Sequence, residues 1–331
     1  VTDEEVKKQS ARRTRRSFLV AAAGAVGGYE FYRWLDRSPE DEGLQEPLRK
    51  ALNLNADVAR TVFDERGLAP TYRVEESREL RVNGNYGLKQ ALVPESFRIQ
   101  VVGVDRPKRF AQYSDDVTKW EYKYVAETAK YEGHDTKVAP KAESAAPAPN
   151  ILPAFAKAME EYNKAQANKP KRGQEEAGES DTGLAPGTPG LLLTMDDVTR
   201  LPKHELVTQF KCIEGWSEIV HWGGVRLSDF IEAYPPAKNA SGQLPKYVYM
   251  ETPNGDYYCG YELKECMHPQ STLVTEMAGR PLEQFHGAPL RLHMPIKYGY
   301  KQIKRIGLIA YTDEKPDDYW TKLGYDWYAG L

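Results

Sequence analysis

The residues best equipped for chemistry sit together at Cys212-Ile213-Glu214-Gly215-Trp216-Ser217. A thiolate sulfur is a soft ligand suited to transition metals. A carboxylate two residues on can hold or deliver a proton. One cysteine does not hold a metal alone, so further ligands would have to come from elsewhere, a cofactor included. The run before it, Leu206-Val207-Thr208-Gln209-Phe210, is apolar and β-prone, which places Cys212 just past the end of a buried strand. Spacing by itself favours a plainer alternative, a free thiol packed as a small hydrophobe. No His-x-x-x-His or Cys-x-x-Cys pair supports zinc, so His221, His268 and His293 read as structural. Cys259 and Cys266 could pair in an oxidising compartment, but their separation does not decide it, and with three cysteines one is always left over.

The elements that must position these groups are legible in outline. The chain has 331 residues, 40% hydrophobic and 28% charged, enough for one large domain or two small ones. A net charge of −3 gives no reason to expect nucleic acid. Pro47 opens a helix with apolar residues at helical spacing through Phe63, ended by Arg66-Gly67-Leu68-Ala69-Pro70. Asn83-Gly84-Asn85-Tyr86-Gly87 is turn chemistry. Phe97–Val104 alternates as a half-buried strand. Further strands are expected at Tyr247–Thr252, Ser271–Met277, Leu290–Met294 and Ile303–Tyr311, with a short helix from Glu262 to His268 before Pro269. Lysines 297, 301 and 304, read alone, suit a basic edge exposed to water.

Two blocks in order carry a resemblance. The first is Cys-Ile-Glu-Gly-Trp-Ser followed by His221-Trp222-Gly223-Gly224-Val225-Arg226-Leu227. The second runs through His286-Gly287-Ala288-Pro289-Leu290-Arg291-Leu292 to Pro295-Ile296-Lys297-Tyr298-Gly299-Tyr300-Lys301-Gln302-Ile303-Lys304. Together they resemble the sulfite oxidase superfamily, closest to the branch of the periplasmic methionine-sulfoxide reductase catalytic subunit. The resemblance covers 190–331 well and 75–107 more loosely. It implies a mixed α/β (α+β), β-rich molybdopterin-binding fold. It implies that Cys212 is the molybdenum ligand and that Glu214 acts in catalysis. It implies cofactor contacts from Asn83, Tyr86, Gly87, Thr252, His286, Arg291, Gln302, Ile303 and Lys304. Gly87 stands where the family often has an acidic residue, so only a backbone contact would survive there. His286 stands where the reductase branch commonly has asparagine and the sulfite-oxidising branch histidine.

The implied activity is oxygen-atom transfer on molybdenum-molybdopterin, reducing a sulfoxide of the protein-methionine type. Sulfite oxidases carry basic residues after the cysteine, where this chain has Glu214-Gly215-Trp216. The alternatives are a sulfite-oxidising dehydrogenase and a non-catalytic subunit of a membrane complex. The chain shows no haem-attachment or iron–sulfur cysteine set, so the resemblance implies a membrane haem-b or other cytochrome as electron donor. Thr14-Arg15-Arg16-Ser17-Phe18-Leu19 looks like a twin-arginine export signal, implying a periplasmic location. Residues 17–35 end in Tyr29, Phe31, Tyr32 and Trp34, which suits an uncleaved anchor helix at a membrane interface over a removed signal peptide. The expected organisation is a signal and anchor at 1–37, a linker, helix and first part of the domain at 38–107, an insertion at 108–189, and the main part of the domain at 190–331. The insertion is low in complexity at Lys137–Asn150 and Gly173–Gly190. Ile151–Gln166 between them could form an amphipathic helix in a partner-docking arm.

Overall fold

The computed structural model describes residues 27–64, 67–128 and 177–330. The twin-arginine motif, the first part of the expected anchor and the expected 151–166 helix lie outside them. Residues 27–36 are helical, with Tyr29, Phe31 and Trp34 exposed. Among the described residues no helix is long and apolar enough to cross a membrane.

Two β-sheets organise the rest. Strands β1 (Ile99–Val102), β2 (Tyr113–Ser114), β3 (Gly190–Leu193), β6 (Tyr247–Glu251), β7 (Tyr258–Glu262) and β11 (Leu308–Thr312) form a six-stranded sheet in the order β7-β6-β11-β1-β3-β2. Only the β11–β1 pair is parallel. The second sheet holds β4 (Lys203–Lys211), β5 (Ser217–Arg226), β8 (Thr272–Met277) and β9 (Arg280–Pro281), with β10 (Arg291–His293) paired to β8. Valine, isoleucine, leucine and tyrosine dominate the strands, as residues that fit a pleated, buried surface do. Ile99, Val101, Leu191, Val248 and Ile309 are fully buried in the larger core. A smaller core under the second sheet joins Leu80, Phe210, Val220, Trp222, Val274 and Met277, and Cys212 and Trp216 pack against it.

Helix α1 (Glu46–Val62) begins with Pro47 in its first turn, where the missing N–H is no loss. Arg49 on its inner face is 3% exposed and donates to the carbonyls of Glu42 (2.7 Å), Thr321 (3.0 Å) and Tyr325 (2.7 Å). It thereby pins the C-terminal segment. The remaining helices are short: α2 (Met195–Thr199), α3 (Leu227–Ala233), α4 (Leu263–Cys266) and α5 (Tyr319–Lys322). Cys259 and Cys266 are buried free thiols.

One expected strand starts late. The sequence suggests a strand from Ile303, yet β11 begins only at Leu308. Arg305 lies at φ +57°, a left-handed conformation that interrupts an extended run. Its guanidinium donates to the carbonyls of Ala288 (3.1 Å), Gly87 (3.4 Å) and Gln90 (2.6 Å). Satisfying three acceptors at once holds the curl in place. The curl brings Lys304 beside the 83–84 turn.

Candidate functional site

The hairpin of β4 and β5 closes its register at Lys211 opposite Ser217, leaving Cys212 to Trp216 as the tip. Inside the tip, the Cys212 N–H donates to the Trp216 carbonyl at 2.9 Å and the Gly215 N–H to the Cys212 carbonyl at 3.1 Å. Gly215 sits at φ +90°, which explains glycine there. The tip projects Cys212 and Glu214 into a cleft of about 410 Å³. The facing walls come from the Leu80–Tyr86 stretch, from His286 and Arg291, from the 299–304 loop, and from Trp320 and Tyr325.

At the hairpin end of the cleft, one oxygen of Glu214 gathers the polar groups. It accepts from Asn83 Nδ2 at 3.1 Å and from the Trp216 indole N–H at 3.0 Å, and it lies 3.8 Å from Cys212 Sγ. Asn83 Nδ2 is also 3.7 Å from that sulfur. Burial pushes the Cys212 thiol above its ordinary pKa, and the adjacent carboxylate adds to the effect. The protein alone therefore keeps this thiol protonated, and ionising it calls for a cation or metal beside it.

Elsewhere on the wall the charge is positive, and Asn83 links the two groups, its side chain to Glu214 and its carbonyl to Lys304. Arg291 is 1% exposed, donates to the His286 carbonyl at 3.0 Å and stacks 5.0 Å over Trp222, while its Nε is buried with no partner. Lys304 Nζ donates to the carbonyls of Asn83 (3.0 Å), Gly84 (2.8 Å) and Phe285 (3.3 Å). Among the described residues neither cation has a carboxylate within ion-pair reach. Burial pulls Arg291 down to about 9. Burial and then Arg291 pull Lys304 down to about 7. His286 is held down at about 4 by burial, then by Arg291 and Lys304. Two cations without ion-pair partners and an orphaned guanidinium N–H form a site that an anionic group would complete, although the exposed Glu79 and Glu283 carboxylates come within 4.8 Å of the His286 ring.

The structure brings together Asn83, Tyr86, Cys212, Glu214, His286, Arg291, Gln302 and Lys304 around this one cleft. It does not place Gly87, Thr252 or Ile303 on its wall. Gly87, at φ +69°, packs so closely on Thr252 that a Cβ would lie 2.4 Å from the Thr252 methyl. The Thr252 hydroxyl is occupied, donating to Asn254 Oδ1 at 2.9 Å and accepting from the Tyr257 N–H at 3.1 Å. Ile303 is fully buried. The Gln302 side chain is committed as well: its amide donates to the Lys297 carbonyl at 3.1 Å and its oxygen accepts from His293 Nδ1 at 2.7 Å. His293 is then left to accept from the Thr208 hydroxyl at 2.7 Å through Nε2. Sequence reasoning missed Arg81, Tyr257, Tyr300, Trp320 and Tyr325 on the wall. Arg81 had a signal in its position two residues before Asn83.

Residues 187–320 match the family described as the oxidoreductase molybdopterin binding domain. A chain from Azospira oryzae, provisionally named protein-methionine-sulfoxide reductase subunit YedZ1, is 35% identical over 137 residues, 41% of this chain and 50% of that one. The protein-methionine-sulfoxide reductase catalytic subunit MsrP of Xanthomonas axonopodis pv. citri is 34% identical over 142 residues, 40% of this chain and 44% of that one. The matched stretch thus spans about half the length of these relatives. Among solved structures, the sulfane dehydrogenase SoxCD of Paracoccus pantotrophus overlaps 45% of this chain and 41% of its own at 18% identity, with a TM-score of 0.33. The chain carries a molybdopterin-binding oxidoreductase domain of mixed α+β architecture.

Proposed function

We propose that this molybdopterin-binding chain is the catalytic chain of an exported oxidoreductase that reduces a sulfoxide, with protein-bound methionine sulfoxide as the substrate class. One observation carries the reading: a single cleft is lined both by a lone thiol beside a clamped carboxylate and by two cations that have no ion-pair partner among the described residues. That combination suits a pyranopterin, whose dithiolene-bound metal needs a thiolate and whose phosphate needs fixed positive charge. When bound, the molybdenum-pterin group supplies a two-electron centre for oxygen-atom transfer. Cys212 would ligate the molybdenum. Arg291 and Lys304 would hold the phosphate, with His286, Tyr86 and the backbone of Gln302 and Ile303 along the pterin. Asn83 and the Trp216 indole orient Glu214 beside Cys212, where a protonated carboxyl can donate to a departing oxygen. Gly87 and Thr252 fit a supporting role, shaping the wall behind Tyr86.

Sulfite oxidation is the alternative, and one observation favours it: Arg81 lines the same cleft and is a cation. Its charge is engaged, however, by Glu218 at 2.9 Å, which leaves the hairpin end of the cleft without an unopposed positive group. We assign electrons to a membrane haem-b or other cytochrome partner. Export by the twin-arginine route, tethering by residues 17–35 and docking by the 108–189 insertion complete the proposal. The supporting features are the Arg15-Arg16 motif and the exposed aromatics of residues 29–34.

The test is a single preparation assayed for molybdenum and pterin, then offered a peptide methionine sulfoxide with an artificial donor and sulfite with an artificial acceptor. Sulfoxide turnover by loaded protein, lost in Cys212→Ser together with the metal signal, is the expected result. Efficient sulfite oxidation without sulfoxide turnover would promote the alternative. A well-folded protein purified from its native membrane without metal would point to a non-catalytic subunit.

A further inference from the structure

Glu79, Glu283 and His286 bring two carboxylates and an imidazole to one point. One ligand atom from each, a carboxylate oxygen or a ring nitrogen, lies within 4.8 Å of the other two. The arrangement has a local and a long-range part. Residues 284–286 form a single 3₁₀ turn with Glu283 at its N-cap, and the His286 N–H donates to the Glu283 carbonyl at 3.0 Å. Side chains three residues apart on such a turn fall on one side, which sets Glu283 beside His286. Glu79 arrives from more than 200 residues earlier in the chain. Its neighbours fix its backbone: the Arg78 N–H donates to the Ile219 carbonyl at 2.8 Å, and Leu80 is buried in the smaller core. Glu79 itself stays exposed and reaches the 283–286 turn.

Two features of the cluster point to a cation. The first is the imidazole. His286 is 4% exposed, and its hydrogen bonds are those of its main chain, from Arg291 Nη1 to its carbonyl and from its N–H to Glu283. A buried polar ring without a partner is costly, and a ligand that takes its lone pair removes the cost. Burial, then Arg291 and Lys304, hold the ring neutral at pH 7, the form that coordinates metals. The second is the pair of carboxylates. Like charges at this range repel, and a cation between them turns repulsion into attraction. Glu79 does have Arg280 at 3.9 Å, but both side chains are more than half exposed, and such a pair is easily displaced. Arg291 and Lys304 act against a cation at the ring, so one carboxylate would not suffice and two are needed.

We propose that Glu79, Glu283 and His286 bind one divalent transition-metal ion of the zinc type, completed by water, which clips the 78–83 segment to the 283–287 turn. The ring nitrogen favours such an ion over calcium or magnesium, which take oxygen ligands. Zinc–ligand distances of about 2.0–2.2 Å set ligand atoms roughly 3–4 Å apart, and the two exposed glutamates close the difference by rotating their side chains. The second ring nitrogen remains for the cleft, which His286 also lines. The inference does not depend on the reaction assigned to that cleft.

The experiment titrates Zn²⁺ calorimetrically into the chelator-stripped full chain carrying Cys212→Ser, so that the cleft thiol takes no metal. One ion per chain should bind. Losing a group that only orients a ligand costs about 10–100-fold in metal affinity, so Glu79→Gln, Glu283→Gln and His286→Gln should each weaken binding by at least about 100-fold. Glu75→Gln, an exposed glutamate on the same segment, should leave it unchanged. The nitrogen NMR signals of the His286 ring should shift as Zn²⁺ is added to the parent, and stay in place in the double variant Glu79→Gln/Glu283→Gln. A parent that binds no Zn²⁺, or binding that the three substitutions leave unchanged, would overturn the inference. Binding that needs the glutamates but survives His286→Gln with no movement of the ring signals would overturn it too.

Discussion

Lys301 and Lys304 lie three residues apart and meet opposite fates. Lys301 is 1% exposed and its ammonium faces Asp318, itself fully buried, and the Gly260 carbonyl. Lys297, four residues earlier and 1% exposed, pairs likewise with the buried Glu265 and reaches the Tyr328 carbonyl. Lys304 has carbonyls alone around it and Arg291 as its charged neighbour. The first two lysines are neutralised within the protein and bind the C-terminal segment to the 297–301 loop. The third is left with a charge that nothing in the chain answers. One basic run thus contains two structural cations and one that fits an external anion. The water-exposed edge that the run suggests in sequence is not what forms.

The largest effect should come from breaking the structural side of this contrast. Lys301→Met leaves Asp318 buried without its counter-ion, and removing one partner of a buried pair costs about 3–5 kcal/mol. Urea denaturation of cofactor-free protein measures it, and a loss under 1 kcal/mol would show that Asp318 finds water or another donor. Lys304→Met should cost less, about 1–2 kcal/mol, because it frees only carbonyls that can turn toward the cleft. Its larger consequence should be in cofactor content. Pterin and molybdenum per folded molecule should fall markedly in Lys304→Met and further in combination with Arg291→Ala, while Lys50→Ala on the exposed face of α1 changes nothing. Full occupancy in the double variant would erase the distinction between the two lysines.

A pH series sharpens the same comparison at smaller amplitude. Lys304 titrates near 7 in the folded chain against an ordinary value of 10.5. Between those values the unfolded chain holds a proton that the native protein does not, so native stability should rise with pH from about 7 toward 10. The rise should be weaker in Lys304→Met than in the wild type when both are cofactor-free. A bound phosphate favours the charged lysine and should flatten it in the loaded protein. Parallel curves for wild type and variant would mean that the ammonium is well solvated.

The sequence made the hairpin end legible because its signals are local. A β-prone run, a cysteine past its end and a glycine at the tip are enough to place Cys212 and Glu214, and the structure sets them 3.8 Å apart. The cations were legible as residue types within a familiar pattern but not in their burial. Whether Lys297, Lys301 and Lys304 meet carboxylates depends on Glu265, Asp318 and the 83–84 turn, which folding brings from distant parts of the chain. Arg305 shows the same limit, since its left-handed backbone is held by carbonyls 17 to more than 200 residues away in sequence. Arg81 went unread because its partners, Trp216 at the hairpin tip and Glu218 on β5, lie more than 130 residues away in sequence.

The smallest effect concerns His286, the neutral ring beside the two cations, which also has the exposed Glu79 and Glu283 carboxylates within 4.8 Å. It is 4% exposed and lines the cleft, and burial next to Arg291 and Lys304 holds it down at about 4. At neutral pH it is an uncharged ring, so His286→Asn exchanges one neutral polar group for another. Stability and cofactor content at pH 7 should then stay close to wild type, within about 1 kcal/mol for a substitution that adds no charge and leaves no buried ion unpaired. Acid should separate the two proteins. Between pH 6.5 and about 4 the unfolded chain protonates this histidine while the native chain does not, so the wild type loses stability as pH falls through that window. Asparagine does not titrate, and the variant should lose less over the same range. Denaturation of both cofactor-free proteins at pH 7 and pH 5 decides the matter. A variant that is no more acid-resistant than wild type would mean that the imidazole charges freely, and the wall there would then carry three cations at mildly acidic pH.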